Sequence, residues 1–240
     1  MSWIRLYLTV EGETELKFAN ETLFPHLAKF EVEVRPRMVL TNRKLGKRGG
    51  ALNFQRLKRD TAHLMREDAN PEARFSTMID LYALPADYPG WKEADNKSKP
   101  ADRVLELEKA LAAELADSRF IPFLQRHEFE ALLYCDLKQF QFRIQDTDKA
   151  ATRLDKAIAQ LQKEVACFSC PEDINEGDTT APSKRLINHV PRYENLKVRV
   201  GAAAAGAIGL HVLREKCPHF GQWLARLEKL GQDAQFRQKS

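Results

Sequence analysis

Four carboxylates stand where strand-like segments end. Glu11 follows I-R-L-Y-L-T-V, Asp80 closes the apolar run F-S-T-M-I-D-L, and Glu128 and Glu130 lie in R-H-E-F-E just past Phe120–Leu124. In an open α/β sheet, ligands bind beyond the carboxyl ends of the strands. Acids gathered there suit a hard cation such as Mg²⁺, held by one or two carboxylates and water. Metal-assisted phosphoryl chemistry is the natural use of such a cation. A plainer role is open to the same residues, because Glu11 and Glu128 each precede a helix-like segment, where a carboxylate is favourable in any case.

Phosphate-binding cations have two candidate sources. Arg35, Arg37, Arg43, Lys44, Lys47, Arg48, Arg56, Lys58 and Arg59 crowd one stretch that holds no acid. Within it N-R-K-L-G-K-R-G-G has no periodicity and three glycines, so it reads as a basic loop. Arg43, Lys44, Lys47 and Arg48 could grip a nucleic-acid backbone there, or serve only as solvated charge. The second source is A-P-S-K-R, which carries Lys184 and Arg185. Cys167, Cys170, Cys217 and His219 are residue types that bind zinc, but the C-P-H half lacks a usual zinc spacing, and reduced packing thiols are the simpler reading. His127, beside the Glu128 and Glu130 pair, reads as a hydrogen-bonded structural residue or as a contact to phosphate or metal. The sequence has no P-loop, nucleophile elbow or dinucleotide fingerprint, so any ATP hydrolysis belongs to a partner.

The elements that must position these residues follow from periodicity. Ile4–Val10 alternates as a strand, and E-G then predicts a turn into a helix over Glu15–Leu23 capped by Thr14 and closed by Pro25. Phe30–Val34 alternates again and runs on through Leu40. Asn53–Glu67 and Arg103–Leu115 carry helical apolar stripes, while Phe75–Leu81 and Phe120–Leu124 read as strands. Pro85–Trp91, with two prolines and a glycine, reads as a loop. This order predicts an α/β layer with a mainly parallel sheet flanked by helices over residues 1–147. Residues 148–240 read as an α-helical C-terminal extension, with helices over Ala150–Val165, Gly201–Lys216 and His219–Leu230 and a loop over Cys167–Ser183.

Composition bounds the rest. The chain has 240 residues, 43 % hydrophobic and 30 % charged, which argues for a folded core and against disorder. No apolar run approaches the roughly 18 residues of a spanning helix, and Met1–Val10 lacks the pattern of a secretory leader. Four cysteines are too few for a disulfide framework in a chain this long. A cytoplasmic protein without a membrane partner is the expectation.

V-E-G-E-T-E resembles the opening motif of the TOPRIM fold, the metal-binding α/β module of topoisomerases, primases and overcoming-lysogenization-defect (OLD) nucleases. Taken with K-R-G-G, I-D-L-Y-A-L-P-A-D-Y-P-G, H-E-F-E-A-L-L, A-P-S-K-R-L and C-P-H-F-G-Q-W-L, the chain is similar to an OLD-nuclease-like family of domains of unknown function, often encoded beside an ABC-type ATPase in phage-defence loci. The resemblance implies Glu11 as first metal ligand and as the catalytic residue that helps orient water, Glu15 one turn on, Asp80 as the strand-end aspartate, and Lys184 as the cation offsetting phosphate charge. TOPRIM nucleases carry a second aspartate two residues after the first, and Tyr82 stands there instead. Glu128 and Glu130 could supply the missing oxygens, and one metal rather than two follows. The resemblance thus implies a Mg²⁺- or Mn²⁺-dependent nuclease acting on DNA or RNA under an ATPase partner. The alternatives are a non-enzymatic regulatory subunit that binds the ATPase and nucleic acid, and a TOPRIM domain that processes a nucleotide or transfer RNA. A homo-oligomer is compatible with each.

Overall fold

The computed structural model describes residues 3–39, 53–85, 87–145, 151–174, 177 and 179–238. The contacts divide the chain into two compact units. One comprises residues 1–125 with 225–240, and the other residues 126–224.

The first unit is built on a parallel five-stranded sheet. Strands β1 (Ile4–Val10), β2 (Val32–Met38), β3 (Ala73–Asp80) and β4 (Phe120–Ile121) lie in the order β2-β1-β3-β4, and β5 (Leu124–Gln125) also pairs with β3. Every pairing is parallel, with Val10 beside Met38 on one flank and Met78 on the other, so the carboxyl ends of β1, β2 and β3 share one edge. The α/β class, the mainly parallel sheet and the C-terminal helices are as the residue patterns imply.

Alternation in β1 buries Ile4, Leu6, Leu8 and Val10 completely. Pro36 is tolerated in β2 because that strand is at the edge, where a missing N–H breaks no central ladder. The expected strand over Phe120–Leu124 is two short ones, because Pro122 interrupts the ladder between them. The Thr77 hydroxyl fills the gap by donating to the Phe123 carbonyl (2.7 Å) and accepting from its amide (3.2 Å). Helices α3 (Phe54–Glu67) and α5 (Pro100–Leu115) bury Phe54, Leu57, Val104, Leu107 and Leu111 in the core that packs on β3.

Two local expectations change. Gly12, not Thr14, is the N-cap of α1 (Glu13–Phe18), and a π-helical turn over Ala19–Leu23 leads on into α2 (Phe24–Leu27). Pro25 therefore does not end the helical segment. It sits at the start of α2, where its missing N–H is tolerated and the widened turn before it relieves its ring. The Pro85–Trp91 loop ends in a short helix α4 (Trp91–Asp95), pinned by the Trp91 indole donating to the Pro85 carbonyl at 2.7 Å.

The second unit is helical and starts earlier than the expected boundary at 147/148. Its centre is a 3₁₀ run, Phe129–Cys135, in which all seven residues are buried. Such a segment can only belong with the helices that cover it. Around it pack α6 (Leu137–Gln145), α8 (Pro182–His189), α9 (Ala202–Ile208) and α10 (Leu210–Lys216), with α7 (Ala151–Val165) against α6 and α8. The small residues Ala202, Ala204 and Ala205 are core. The helix expected over Gly201–Lys216 is broken at Gly209, whose φ of +83° belongs to the left-handed region that glycine enters without strain. The last helix, α11 (Pro218–Gln238), begins in the second unit and ends in the first. No helix among the described residues is long and apolar enough to cross a membrane.

Candidate metal site and buried acid pair

The strand-end acids of the first unit meet because of the register. Glu11 is one residue past Val10, Asp80 two past Met78, and those strands are neighbours. Glu11 Oε2 accepts a hydrogen bond from the Asp80 amide at 3.1 Å, so its carboxylate reaches across from the end of β1 to the end of β3. Glu15 is one turn along α1, but its Oε2 folds back to accept from the Gly12 amide at 3.0 Å, the N3 half of a capping box without the return bond, since a glycine N-cap has no side chain to make it. Tyr82 is 44 % exposed in a 3₁₀ turn that follows Asp80.

Among the described residues, no group of three or more His, Cys, Asp or Glu side chains is arranged to hold a metal ion. Glu11 and Asp80 stand at the ends of neighbouring strands, joined by the Glu11 carboxylate and the Asp80 amide, and Mg²⁺ is commonly held by one or two carboxylates while water and substrate oxygens complete its octahedron. This donor set fits a single hard cation. It does not suit zinc, and the zinc set is not assembled elsewhere: Cys217 Sγ lies 3.3 Å from Cys135 Sγ, both buried, while Cys167 is exposed.

Glu128 and Glu130 belong to the second unit, where both are buried. Arg126 precedes them, held to Asp173 at 2.6 Å and 3.9 Å from Glu172. His127 then takes a φ of +63°, an uncommon conformation for a residue with a Cβ. Glu128 accepts from the Ser183 amide (2.8 Å) and hydroxyl (3.0 Å) at the start of α8. Glu130 Oε1 accepts from the Tyr193 phenol at 3.3 Å and pairs with Lys197 Nζ at 3.1 Å. The cation beside these acids is therefore Lys197, whereas Lys184 is exposed on α8. Burial first, and then the charge of Glu130, raise the Glu128 carboxyl above its ordinary value against the Ser183 hydrogen bonds and the Lys197 charge.

A raised native value means that the folded chain binds this proton more tightly than the unfolded one. Stability contributed by Glu128 is then lost as pH climbs from the ordinary carboxylate value through the native one. Glu128→Gln keeps an acceptor for Ser183 and removes the like charge. We expect it to flatten that fall and to add about 1 kcal/mol, roughly 2–4 °C in melting temperature, above the window. Thermal melts across pH check this. A variant that melts lower than the parent at neutral pH would show an ionised, stabilising Glu128.

The basic stretch is largely compensated where it is described. Arg35 pairs with Glu33 (2.7 Å), Lys58 with Glu114 (2.5 Å), and Arg56 and Arg59 with Asp60 (3.8 and 3.4 Å). Arg43, Lys44, Lys47 and Arg48 lie outside the described residues. Arg185 is engaged within its own unit, donating to the Thr180 carbonyl at 2.8 Å, lying 3.5 Å from Glu164 and stacking over Phe168.

Ser183, Tyr193 and Lys197 escaped the sequence reading. The first had a legible signal, since A-P-S places proline at the first position of a helix. The other two had none, because nothing in their spacing ties them to Glu130, 63 and 67 residues earlier.

Residues 10–228 match the model of a domain of unknown function, DUF4276, and the chain belongs to that family. No curated protein matches the chain. Among solved structures it is similar to the C-terminal region of the Burkholderia pseudomallei OLD protein, with 16 % sequence identity and a TM-score of 0.45 over 97 % of this chain and 98 % of that one.

Proposed function

We propose that this member of the DUF4276 family is a TOPRIM-type, Mg²⁺- or Mn²⁺-dependent nuclease that hydrolyses phosphodiesters of DNA or RNA in the cytoplasm, controlled by an ABC-type ATPase in phage defence. The observation that carries the reading is the Glu11 carboxylate beside the backbone of Asp80 at the shared edge of β1 and β3. The V-E-G-E-T-E resemblance supports it.

Glu11 and Asp80 would hold the cation. Once bound, it would neutralise charge on the scissile phosphate and lower the pKa of a bound water. The chain's own part is orientation: the Asp80 amide holds Glu11 in place at the strand end, and Gly12 and Glu15 hold the start of α1 beside it. The oxygens of Glu128 and Glu130 are engaged by Ser183, Tyr193 and Lys197, so the proposed ligand set is limited to Glu11 and Asp80. Lys184, exposed on α8, is left to an electrostatic hold on a nucleic-acid strand.

Tyr82 favours one second reading, a regulatory subunit that binds the ATPase and nucleic acid without cutting, because a neutral phenol is a poor Mg²⁺ ligand. The test is incubation of the purified chain with duplex DNA, single strands and transfer RNA, with Mn²⁺ or with chelator, and with and without the neighbouring ATPase. Cleavage that chelator abolishes supports the nuclease. Intact substrates in every lane, with the ATPase shown active and bound, overturn it in favour of the regulatory subunit.

A further inference from the structure

Within the second unit, the first turns of α7, the end of α8 and the turn after it line an open pocket of about 290 Å³. Arg153, Leu154 and Ala157 reach it from α7, whose 3.6-residue period puts all three on neighbouring positions of one face. His189 is the last residue of α8, and Pro191 and Arg192 open the 3₁₀ turn that follows.

The lining joins two kinds of chemistry. Leu154, Ala157 and Pro191 form apolar wall, whereas Arg153, Arg192 and His189 bring two permanent positive charges and an imidazole. The arginine and histidine on the α8 side are held in place. Arg192 Nη2 donates to the Ile144 carbonyl at 3.0 Å, one of the last carbonyls of α6. His189 Nε2 lies 2.7 Å from Glu164 Oε1, and the same carboxylate is also met by Arg185. Arg153 is at the third position of α7, where the positive end of a 15-residue helix adds to its field.

We infer that this pocket binds a phosphomonoester of nucleotide size. A phosphomonoester is close to a dianion at neutral pH, and guanidinium forks match its oxygens in pairs. The apolar wall suits a sugar and base edge. The volume is at the lower end of small-molecule sites, enough for one nucleotide and too small for a duplex. The phosphate could belong to a free nucleotide or to the phosphorylated end of a strand, and the site does not depend on the metal pair.

The experiment is binding to the full chain in chelator, with adenosine monophosphate and with fluorescent single strands that carry or lack a 5′-phosphate. The expected result is binding that is about tenfold tighter for a phosphorylated probe than for its unphosphorylated counterpart, and a similar loss in Arg153→Gln. Arg153 is exposed and makes no ion pair among the described residues, so the melting temperature of that variant should match the parent. Tight adenosine monophosphate identifies the free nucleotide as the source, and tight phosphorylated strand with weak nucleotide identifies the strand end. Equal affinity with and without phosphate, or an unaffected Arg153→Gln, overturns the inference. Phosphate-dependent binding in chelator, where no metal-dependent cleavage occurs, separates this outcome from failure of the nuclease reading.

Discussion

Glu11→Gln should lower metal-dependent cleavage about 100-fold or more, since even changing a residue that only orients a metal ligand costs 10–100-fold in affinity or rate. The substitution is chosen because the glutamine oxygen can still accept from the Asp80 amide, as Glu11 Oε2 does at 3.1 Å. What it removes is the negative charge. The fold should therefore survive, with a melting temperature within about 2 °C of the parent, the change a surface-like substitution produces. Isothermal titration with Mn²⁺ reads the same loss without any substrate. Tyr82→Asp is the converse change: it places a carboxylate two residues after Asp80 and should tighten Mn²⁺ binding. If Glu11→Gln cuts as well as the parent while binding Mn²⁺ equally, the site is not at the β1–β3 edge.

Gly231→Ala should be among the most destabilising single changes in the first unit. A Cβ at Gly231 would lie 1.8 Å from the Phe30 carbonyl oxygen and 2.9 Å from the Phe30 carbonyl carbon. Both are backbone atoms next to the start of β2, so no side-chain rotation relieves the clash, and the helix or the turn must shift. Overpacking of this kind costs about 3 kcal/mol, equivalent to roughly 6–12 °C in melting temperature for a chain of this size. The nearby His26–Glu228 contact, at 2.6 Å and partly buried, ties the same stretch of α11 to α2. Glu228→Gln should cost far less, because its amide keeps a hydrogen bond to the ring. Parent-like melting of Gly231→Ala would mean that this turn of α11 does not seat on Phe30.

Much of the first unit was legible from local pattern. Period-two alternation in Ile4–Val10 and the apolar stripes of Asn53–Glu67 and Arg103–Leu115 are written in consecutive residues, and each corresponds to an element within a few positions. Pro25 and Thr14 misled, since proline read in isolation signals an end, whereas a π turn placed just before it lets the helical segment continue. The loop expected up to Ser183 hid α8, although A-P-S marked its start.

The candidate chemistry divided along the same line. Glu11 and Asp80 could be found by reading strand ends, because parallel neighbours necessarily share an edge. Glu128 and Glu130 could be found as acids but not understood as a buried pair, since burial and the donors Ser183, Tyr193 and Lys197 come from segments 55 to 67 residues away.

The sequence by itself determined the kinds of elements, the parallel α/β class and the positions of the acids, because propensity, periodicity and chain order act between near neighbours. Only the tertiary structure decided that residues 225–240 rejoin the first unit, that Lys197 rather than Lys184 faces the second acid pair, and that Arg153, His189 and Arg192 line one pocket. Those outcomes depend on how distant segments pack, and close packing selects partners by shape and burial over separations as long as the 202 residues between His26 and Glu228, which no local spacing encodes.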